Sequence, residues 1–319
     1  MAKVSIMIVN WNGKRLLKDC LGSVFSQSMK DYEIILVDNA STDGSVDFVK
    51  KNYPKAKLIQ NRSNLGFAEG NNIGIRAASK GSRYIALLNT DARPDKNWLK
   101  ELIKAAESHP KAGSFTPKVV FPDGRINSIG HAIFRTGEVK NIGVFQQDKG
   151  QFSKEAKVFG VPATASLYRR KMLEDTKTSD YLDPLYFAYY EDSDLDFRAA
   201  ALGWESLYVP STTVTHLLGA SSPNSLYFAE RNRGWFFLKN FPANELILSL
   251  PFFLAYGGIR LIYIAFFKLQ PITALRALID GIAGIPNVLR KRAETQAMLK
   301  RRAAKPIPFT GLGALFGRR

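Results

Sequence analysis

Asn89-Thr90-Asp91 follows the apolar run Tyr84–Leu88 and sets one carboxylate at the end of a predicted strand. A single carboxylate can hold Mg2+ or Mn2+ when the phosphates of a bound diphosphate supply other ligands. Such an ion neutralises charge growing on a leaving diphosphate. The same aspartate, ahead of Ala92-Arg93-Pro94, also has the form of a helix cap. A second acidic group, Glu191-Asp192-Ser193-Asp194-Leu195-Asp196, places four carboxylates in six residues, behind Tyr186-Phe187-Ala188-Tyr189-Tyr190. Acids in the first turn of a helix complement its dipole. Successive helical residues point to different faces, so Glu191 and Asp192 can take separate roles. An Asp beside aromatic residues could deprotonate a sugar hydroxyl as general base. His216 ends Val214-Thr215-His216, and an imidazole near a carboxylate can ligate a metal. His109, before Pro110, reads as a helix-end cap, and His131 carries no signal of its own.

The elements that must position these residues are legible from periodicity. Residues 4–9, 33–37, Lys57–Gln60 and Tyr84–Leu88 are short apolar runs with strand character. Between them, residues 14–26, a helix entered at Asp43-Gly44-Ser45, and residues 68–79 have helical spacing; residues 94–108 follow as a fourth helix. This alternation implies a mostly parallel sheet covered by helices. Ligands in such sheets bind beyond the carboxyl ends of the strands. Asn10-Trp11-Asn12, Asp38-Asn39 and Asn89-Thr90-Asp91 all fall at those ends and should line one crevice. Asn64-Leu65-Gly66-Phe67-Ala68-Glu69-Gly70-Asn71-Asn72 enters a helix, whose N-terminus favours phosphate. A turn with close helix packing would need the same glycines. No GxGxxG or GxxxxGK is present, which disfavours dinucleotide and P-loop enzymes.

Glycines punctuate residues 113–180, and their strands cannot be ordered from sequence. Residues 191–202 read as a helix, 206–209 and 213–215 as two strands, and 225–239 as an aromatic-rich helix. The composition, 45% hydrophobic and 23% charged over 319 residues, supports a buried core and excludes a disordered or collagen-like chain. Cys20 is the sole cysteine, so no intrachain disulfide forms and a reducing setting is expected. The apolar run at 4–9 is too short for a signal-peptide core.

The formal net charge of +17 is unevenly spread: residues 1–230 carry +5 and residues 231–319 carry +12. That basic end is also the most apolar part. Residues 246–267 contain Arg260 as their sole charge, a length sufficient for a bilayer core. Pro251, Gly257 and Gly258 favour a kinked or interfacial segment over a clean span. A second apolar stretch, 272–285, precedes Arg290-Lys291-Arg292 and Lys300-Arg301-Arg302. Basic clusters beside apolar helices attract anionic lipid at about 1 kcal/mol per residue. An anionic membrane surface is therefore the expected partner, with a helix pair buried on the domain as the alternative.

The ordered set of motifs resembles inverting glycosyltransferases of family 2. It comprises Val9-Asn10-Trp11-Asn12, Val37-Asp38-Asn39-Ala40-Ser41-Thr42-Asp43-Gly44-Ser45, Asn64-Leu65-Gly66-Phe67-Ala68 with Gly70-Asn71-Asn72, and Leu88-Asn89-Thr90-Asp91. Tyr190-Glu191-Asp192-Ser193-Asp194-Leu195 with Arg198, Gly203-Trp204 and Val214-Thr215-His216 complete it, over roughly residues 3–240. It is similar to the rhamnosyltransferase branch, where Asn-x-Asp stands for Asp-x-Asp. The resemblance implies a Rossmann-like α/β GT-A fold, a mostly parallel central sheet with helices on both faces, plus C-terminal membrane-associated helices. It divides the chain into a catalytic domain, 1–240, and a membrane-associated region, 241–319. Within the former, 1–110 would be the nucleotide half and 111–240 the acceptor half.

The resemblance also implies roles. Val9, Asn10, Trp11, Asp38, Asn64, Gly66, Asn71, Asn89, Thr90 and Asp91 would bind the nucleotide sugar. Ala163, Thr164 and Glu191 would face the acceptor. Asp91 and His216 would hold the divalent cation, Mg2+ or Mn2+. Asp192 would be the general base, and Arg198 would brace the acidic helix. Arg231 and Arg233 could reach phosphate or serve structure. Three departures stand out: Asn89 removes one carboxylate from the metal motif, Pro162 replaces an expected glycine, and Pro184 an expected acid. The expected activity is metal-assisted transfer of a sugar, first of all L-rhamnose from dTDP-rhamnose, to a lipid-linked or polysaccharide acceptor. The expected place is the cytoplasmic side of the cell membrane, peripheral or monotopic. A polyprenyl-phosphate glycosyltransferase and a non-catalytic membrane or nucleic-acid binder are the alternatives. Clustered carboxylates repel a phosphate backbone, so nucleic acid is not an expected partner.

Overall fold

The computed structural model describes residues 3–218, 224–302, 305–307 and 309–310. Gly219 and the residues beyond Thr310 lie outside them.

The first half alternates as its periodicity predicts. Strands β1 (Val4–Asn10), β2 (Tyr32–Asp38), β3 (Lys57–Gln60) and β4 (Tyr84–Leu88) are joined by helices α1 (Lys14–Phe25), α2 (Ser45–Asn52) and α3 (Gly66–Ala77). These strands pair in parallel in the order β4-β1-β2-β3. Burial on both faces explains why they read as unbroken apolar runs. Val4, Ile6 and Ile8 join the core under α1, whereas Met7 packs with Ile35 and Val37 under α3. Close approach of α3 to β1 depends on glycine. A Cβ on Gly70 would lie 2.7 Å from Val9 Cγ1, and one on Gly74 2.7 Å from Met7 Sδ.

The second half departs from a purely parallel pattern. After β5 (Ala92–Pro94) and α4 (Trp98–Ser108) come β6 (Ala112–Val120), β7 (Ile126–Ser128), β8 (His131–Ile133), β9 (Val139–Asn141), β10 (Ala156–Val158) and β11 (Ala165–Arg169). Strand β11 inserts antiparallel between β4 and β6 and so extends the sheet. Helices α5 (Arg170–Thr176) and α6 (Glu191–Ala201) then lead into β12 (Glu205–His216). Here the two predicted strands are one, because a register shift between Val209 and Thr213 carries the pairing with β6 across Pro210. The predicted helix at 94–108 starts at Trp98 instead, since residues 92–94 pair with β12. Asp91 therefore caps no helix.

Helices α7 (Ser225–Asn240), α8 (Ala243–Ile262), α9 (Pro271–Ala283) and α10 (Ile285–Arg301) complete the chain. A π-helical turn, Tyr263–Phe267, continues α8. Helix α10 packs back on the domain: Val288 is fully buried, and Arg292 donates to the carbonyls of Leu238 and Phe241. The outer faces of α8 and α9 are otherwise open, with Ile247, Phe266, Phe267, Leu269 and Ile272 all strongly exposed. Ala243–Phe267 is the candidate span among the described residues, with a mean hydropathy of 1.7.

Candidate active site

A cavity of about 530 Å³ opens where β1, β2 and β4 end. Val9, Trp11, Asn64, Gly66, Asn89, Thr90, Asp91, Ala163, Thr164, Glu191, Asp192 and His216 line it. Sequence reasoning placed all twelve in the site. Asn10, Asp38 and Asn71 do not reach its wall. Asn10 donates to Asp38 Oδ1 (2.8 Å), Ser41 N–H donates to Asp38 Oδ2 (2.9 Å), and Asn71 bonds the Phe67 carbonyl. These three buried side chains tie the strand-end loops together behind the wall. Asn39 is the neighbour that does line it, donating to the Gly66 carbonyl at 2.9 Å. Trp11 offers a half-exposed indole at the rim, 53% accessible.

Pairing of β5 with β12 builds the floor. The register His216↔Ala92 puts His216 beside Asp91, with Nε2 3.2 Å from Oδ1, and Leu217 N–H donates to the Asp91 carbonyl at 2.8 Å. His216 Nδ1 and Asn89 Oδ1 are buried without a hydrogen-bond partner among the described residues. Buried polar atoms without partners are expensive, and both of these belong to residues that line the cavity. No cluster of three or more His, Cys, Asp or Glu forms a metal cage among the described residues. One carboxylate and one imidazole suit a divalent ion completed by substrate phosphates.

The opposite wall is held under backbone strain. Phe187, Tyr189 and Tyr190 have φ of 65°, 69° and 74°, a region that bulky L-residues rarely occupy. Neighbouring groups over-determine this loop. Phe67 and Ala68 N–H donate to the Phe187 carbonyl, and the Asn232 amide donates to the carbonyls of Tyr186, Ala188 and Tyr189. Gly66 is required by its φ of +81° and because a Cβ there would lie 2.6 Å from the Phe187 oxygen. The loop delivers Glu191 and Asp192 as the first two residues of α6. Asp192 accepts from Ala163 N–H (3.1 Å) and Ser193 N–H (2.7 Å), which fixes its carboxylate while it stays part-exposed to the cavity.

Glu191 is buried, and burial followed by the charge of Asp192 pushes its carboxyl far above the usual range. Its neutral form is therefore favoured beside Asp192. A raised folded pKa gives stability that is present below the unfolded value and lost as pH rises. Glu191→Gln removes that loss, so the variant should gain stability over the wild type as pH increases from 5 to 8. Paired urea titrations at the two pH values check this; an equal difference at both would contradict the upward shift of the Glu191 carboxyl.

Sequence reasoning missed the support behind Asp192. His131 Nδ1 lies 2.9 Å from Asp196 Oδ2, and both Asp196 oxygens accept from Val161 N–H. Burial pushes the Asp196 carboxyl up to about 6, against the opposing pull of His131. Burial also disfavours protonated His131, but Asp196 overcomes it and the imidazole pKa rises. Gly160 makes room, since a Cβ there would overlap the Asp196 carboxylate. His131 itself lines the cavity. Deeper, Lys239 Nζ bridges Asp183 Oδ2 (2.6 Å) and Asp194 Oδ1 (2.8 Å), while Arg198 Nε donates to Asp194 Oδ2 (3.0 Å). Arg198 thus braces α6, as the sequence suggested.

The family model described as "Glycosyl transferase family 2" matches residues 5–177. The chain belongs to that family. It is a glycosyltransferase with the GT-A fold, and the motif set read from the sequence identified it correctly. A relative from Mycobacterium tuberculosis, N-acetylglucosaminyl-diphospho-decaprenol L-rhamnosyltransferase, is 26% identical over 72% of this chain and 85% of its own. Poly(ribitol-phosphate) beta-glucosyltransferase of Bacillus spizizenii is 36% identical over 28% of this chain and 15% of its own. Among solved structures, S. aureus TarS 1-349 in complex with UDP-GlcNAc is 18% identical and covers 99% of this glycosyltransferase and 92% of its own chain (TM-score 0.58). The mannosyltransferase PcManGT from Pyrobaculum calidifontis, solved with GDP-Man and Mn2+, is 16% identical, covering 94% and 86% (TM-score 0.56).

Proposed function

We propose that this glycosyltransferase moves L-rhamnose from dTDP-rhamnose to a hydroxyl of a lipid-linked glycan, with inversion. The observation that carries the reading is one cavity holding Asp192 on one wall and the Asp91–His216 pair on its floor. The Asn-x-Asp motif and the Mycobacterium tuberculosis relative support rhamnose and a lipid-linked acceptor. In the proposed step Asp192 takes the acceptor hydroxyl proton as the oxygen attacks the anomeric carbon. The bond from that carbon to the diphosphate breaks, and its electron pair leaves with the diphosphate. Asp91 and His216 would hold Mg2+ or Mn2+, which when bound offsets the diphosphate's charge. Trp11, Val9, Asn64 and Gly66 would border the nucleotide, and Ala163, Thr164 and Glu191 the acceptor.

A thermal-shift panel of nucleotide sugars with Mn2+ or with EDTA tests this. At a hundred times Kd, dTDP-rhamnose should add about 2.7 kcal/mol in Mn2+. Asp91→Asn should abolish the difference between Mn2+ and EDTA. A panel in which no nucleotide sugar shifts the protein would overturn the reading.

We also place the enzyme at the cytosolic membrane face, held by α8 and α9. Removing 246–319 would strip buried Val288 and Leu299 from the domain, so point substitutions are the sharper test. Phe266 and Phe267 are 71% and 75% exposed. Burying a Phe side chain is worth roughly 1.5–3 kcal/mol. The double variant Phe266→Glu, Phe267→Glu should thus bind anionic vesicles at least ~10-fold more weakly. Unchanged co-sedimentation with vesicles would sink the anchoring role.

A further inference from the structure

A second cavity, of about 430 Å³, lies between α7, α8 and α9. Trp235, Leu250, Phe253, Leu254, Leu261 and Leu278 dominate its walls. Its charged lining residues among those described, Glu230, Arg231 and Arg233, sit together near the middle of α7. Glu230 lines this groove and the active-site cavity alike, so it is a wall residue common to both. Arg260, the lone charge of the apolar run 246–267, turns back into the active-site cavity and pairs with Glu230. This junction gathers Arg233 and Arg260 around Glu230, with Glu138 close by, and burial pushes the Glu138 carboxyl up.

We propose that this groove binds the hydrocarbon chain of an amphiphilic acceptor whose phosphate-bearing head lies at the arginine junction and whose sugar reaches Asp192. The inference rests on the lipid-linked reading of the acceptor given above and adds the site that would take the lipid. Four observations support it. The groove is apolar apart from the charges that α7 brings to it, a pattern that suits a hydrocarbon chain with an anionic head. Glu230, among those charges, also lines the catalytic cavity. The volume falls within the roughly 300–1,000 Å³ of small-molecule sites. Finally, Gly258 and Gly281 both line the groove, and a Cβ on either would meet nothing within 4 Å, so a side chain added there enters open space.

Gly258→Leu and Gly281→Leu fill the groove from two helices and raise helix propensity. The full-length enzyme in detergent would be assayed with GlcNAc-diphospho-farnesol and with the methyl ester of the same head. We expect the wild type to show at least a 10-fold lower KM for the farnesyl acceptor, and each variant to bring the two KM values within about 2-fold. Farnesyl diphosphate binding, followed by calorimetry, should weaken at least 10-fold in both variants. An unchanged farnesyl-to-methyl ratio, or no farnesyl diphosphate binding by the wild type, would overturn the proposal. So would variants that lose only binding to phosphatidylglycerol vesicles, since bilayer lipid would then fill the groove. Farnesyl diphosphate binding lost in both variants, with no sugar transfer to either acceptor, would uphold the groove and defeat the transfer reading instead.

Discussion

Asp192→Asn is expected to lower kcat by at least ~10²-fold, within the range that general-base catalysis supplies. The asparagine keeps the oxygen that accepts from Ala163 or Ser193 N–H, so α6 and its strained lead-in loop should stay in place. What it loses is the site that receives the hydroxyl proton. Donor binding should therefore persist, and the thermal shift with nucleotide sugar and Mn2+ should match the wild type. That split separates the base from a structural carboxylate. A variant that keeps wild-type kcat would remove Asp192 from the chemistry. It would favour an acceptor that is already an anion, such as a lipid phosphate.

Lys239→Met should be the most destabilising single change, about 3–5 kcal/mol. Lys239 is buried between Asp183 and Asp194, and among the described residues Arg198 is the other cation bonded to Asp194. Methionine fills the space but leaves Asp183 without its charge partner in the interior. The effect has a pH signature. Burial alone would raise the Asp194 carboxyl, yet Lys239 and Arg198 hold it down to about 2. A depressed folded pKa gives stability that is present above the unfolded value and lost as pH falls through the folded one. The wild type should therefore lose stability between about pH 4 and pH 2, and Lys239→Met should flatten that slope. Urea midpoints across this range check both the size and the slope. A loss below about 1 kcal/mol would mean that the network is solvated rather than buried.

These effects differ in how far the sequence foretold them. Asp192 is conspicuous beside three other acids, and the resemblance assigns it a role. Lys239 lies in an aromatic-rich helix with nothing to mark it, because its partners are 56 and 45 positions away. The same holds for His131 and Asp196, separated by 65 positions. Asn232 shows no signal either, though it ties down three carbonyls of the loop before Glu191. A buried polar side chain looks like a surface one until its partner is known.

The strands β1 to β4, their covering helices and the polar clusters at the strand ends were legible from sequence alone. A strand buried on both faces must be an apolar run, and a polar residue at its end must lie outside the core, so local composition carries that information. The place of β11 in the sheet, the single bulged β12 and the pairing of β5 that seats His216 against Asp91 were settled only in three dimensions. So was the split among the strand-end residues, with Asn39 at the wall and Asn10 and Asp38 behind it. Short strands have little periodicity, and their partners are chosen by pairing and packing energy summed across distant segments. No local pattern records that sum.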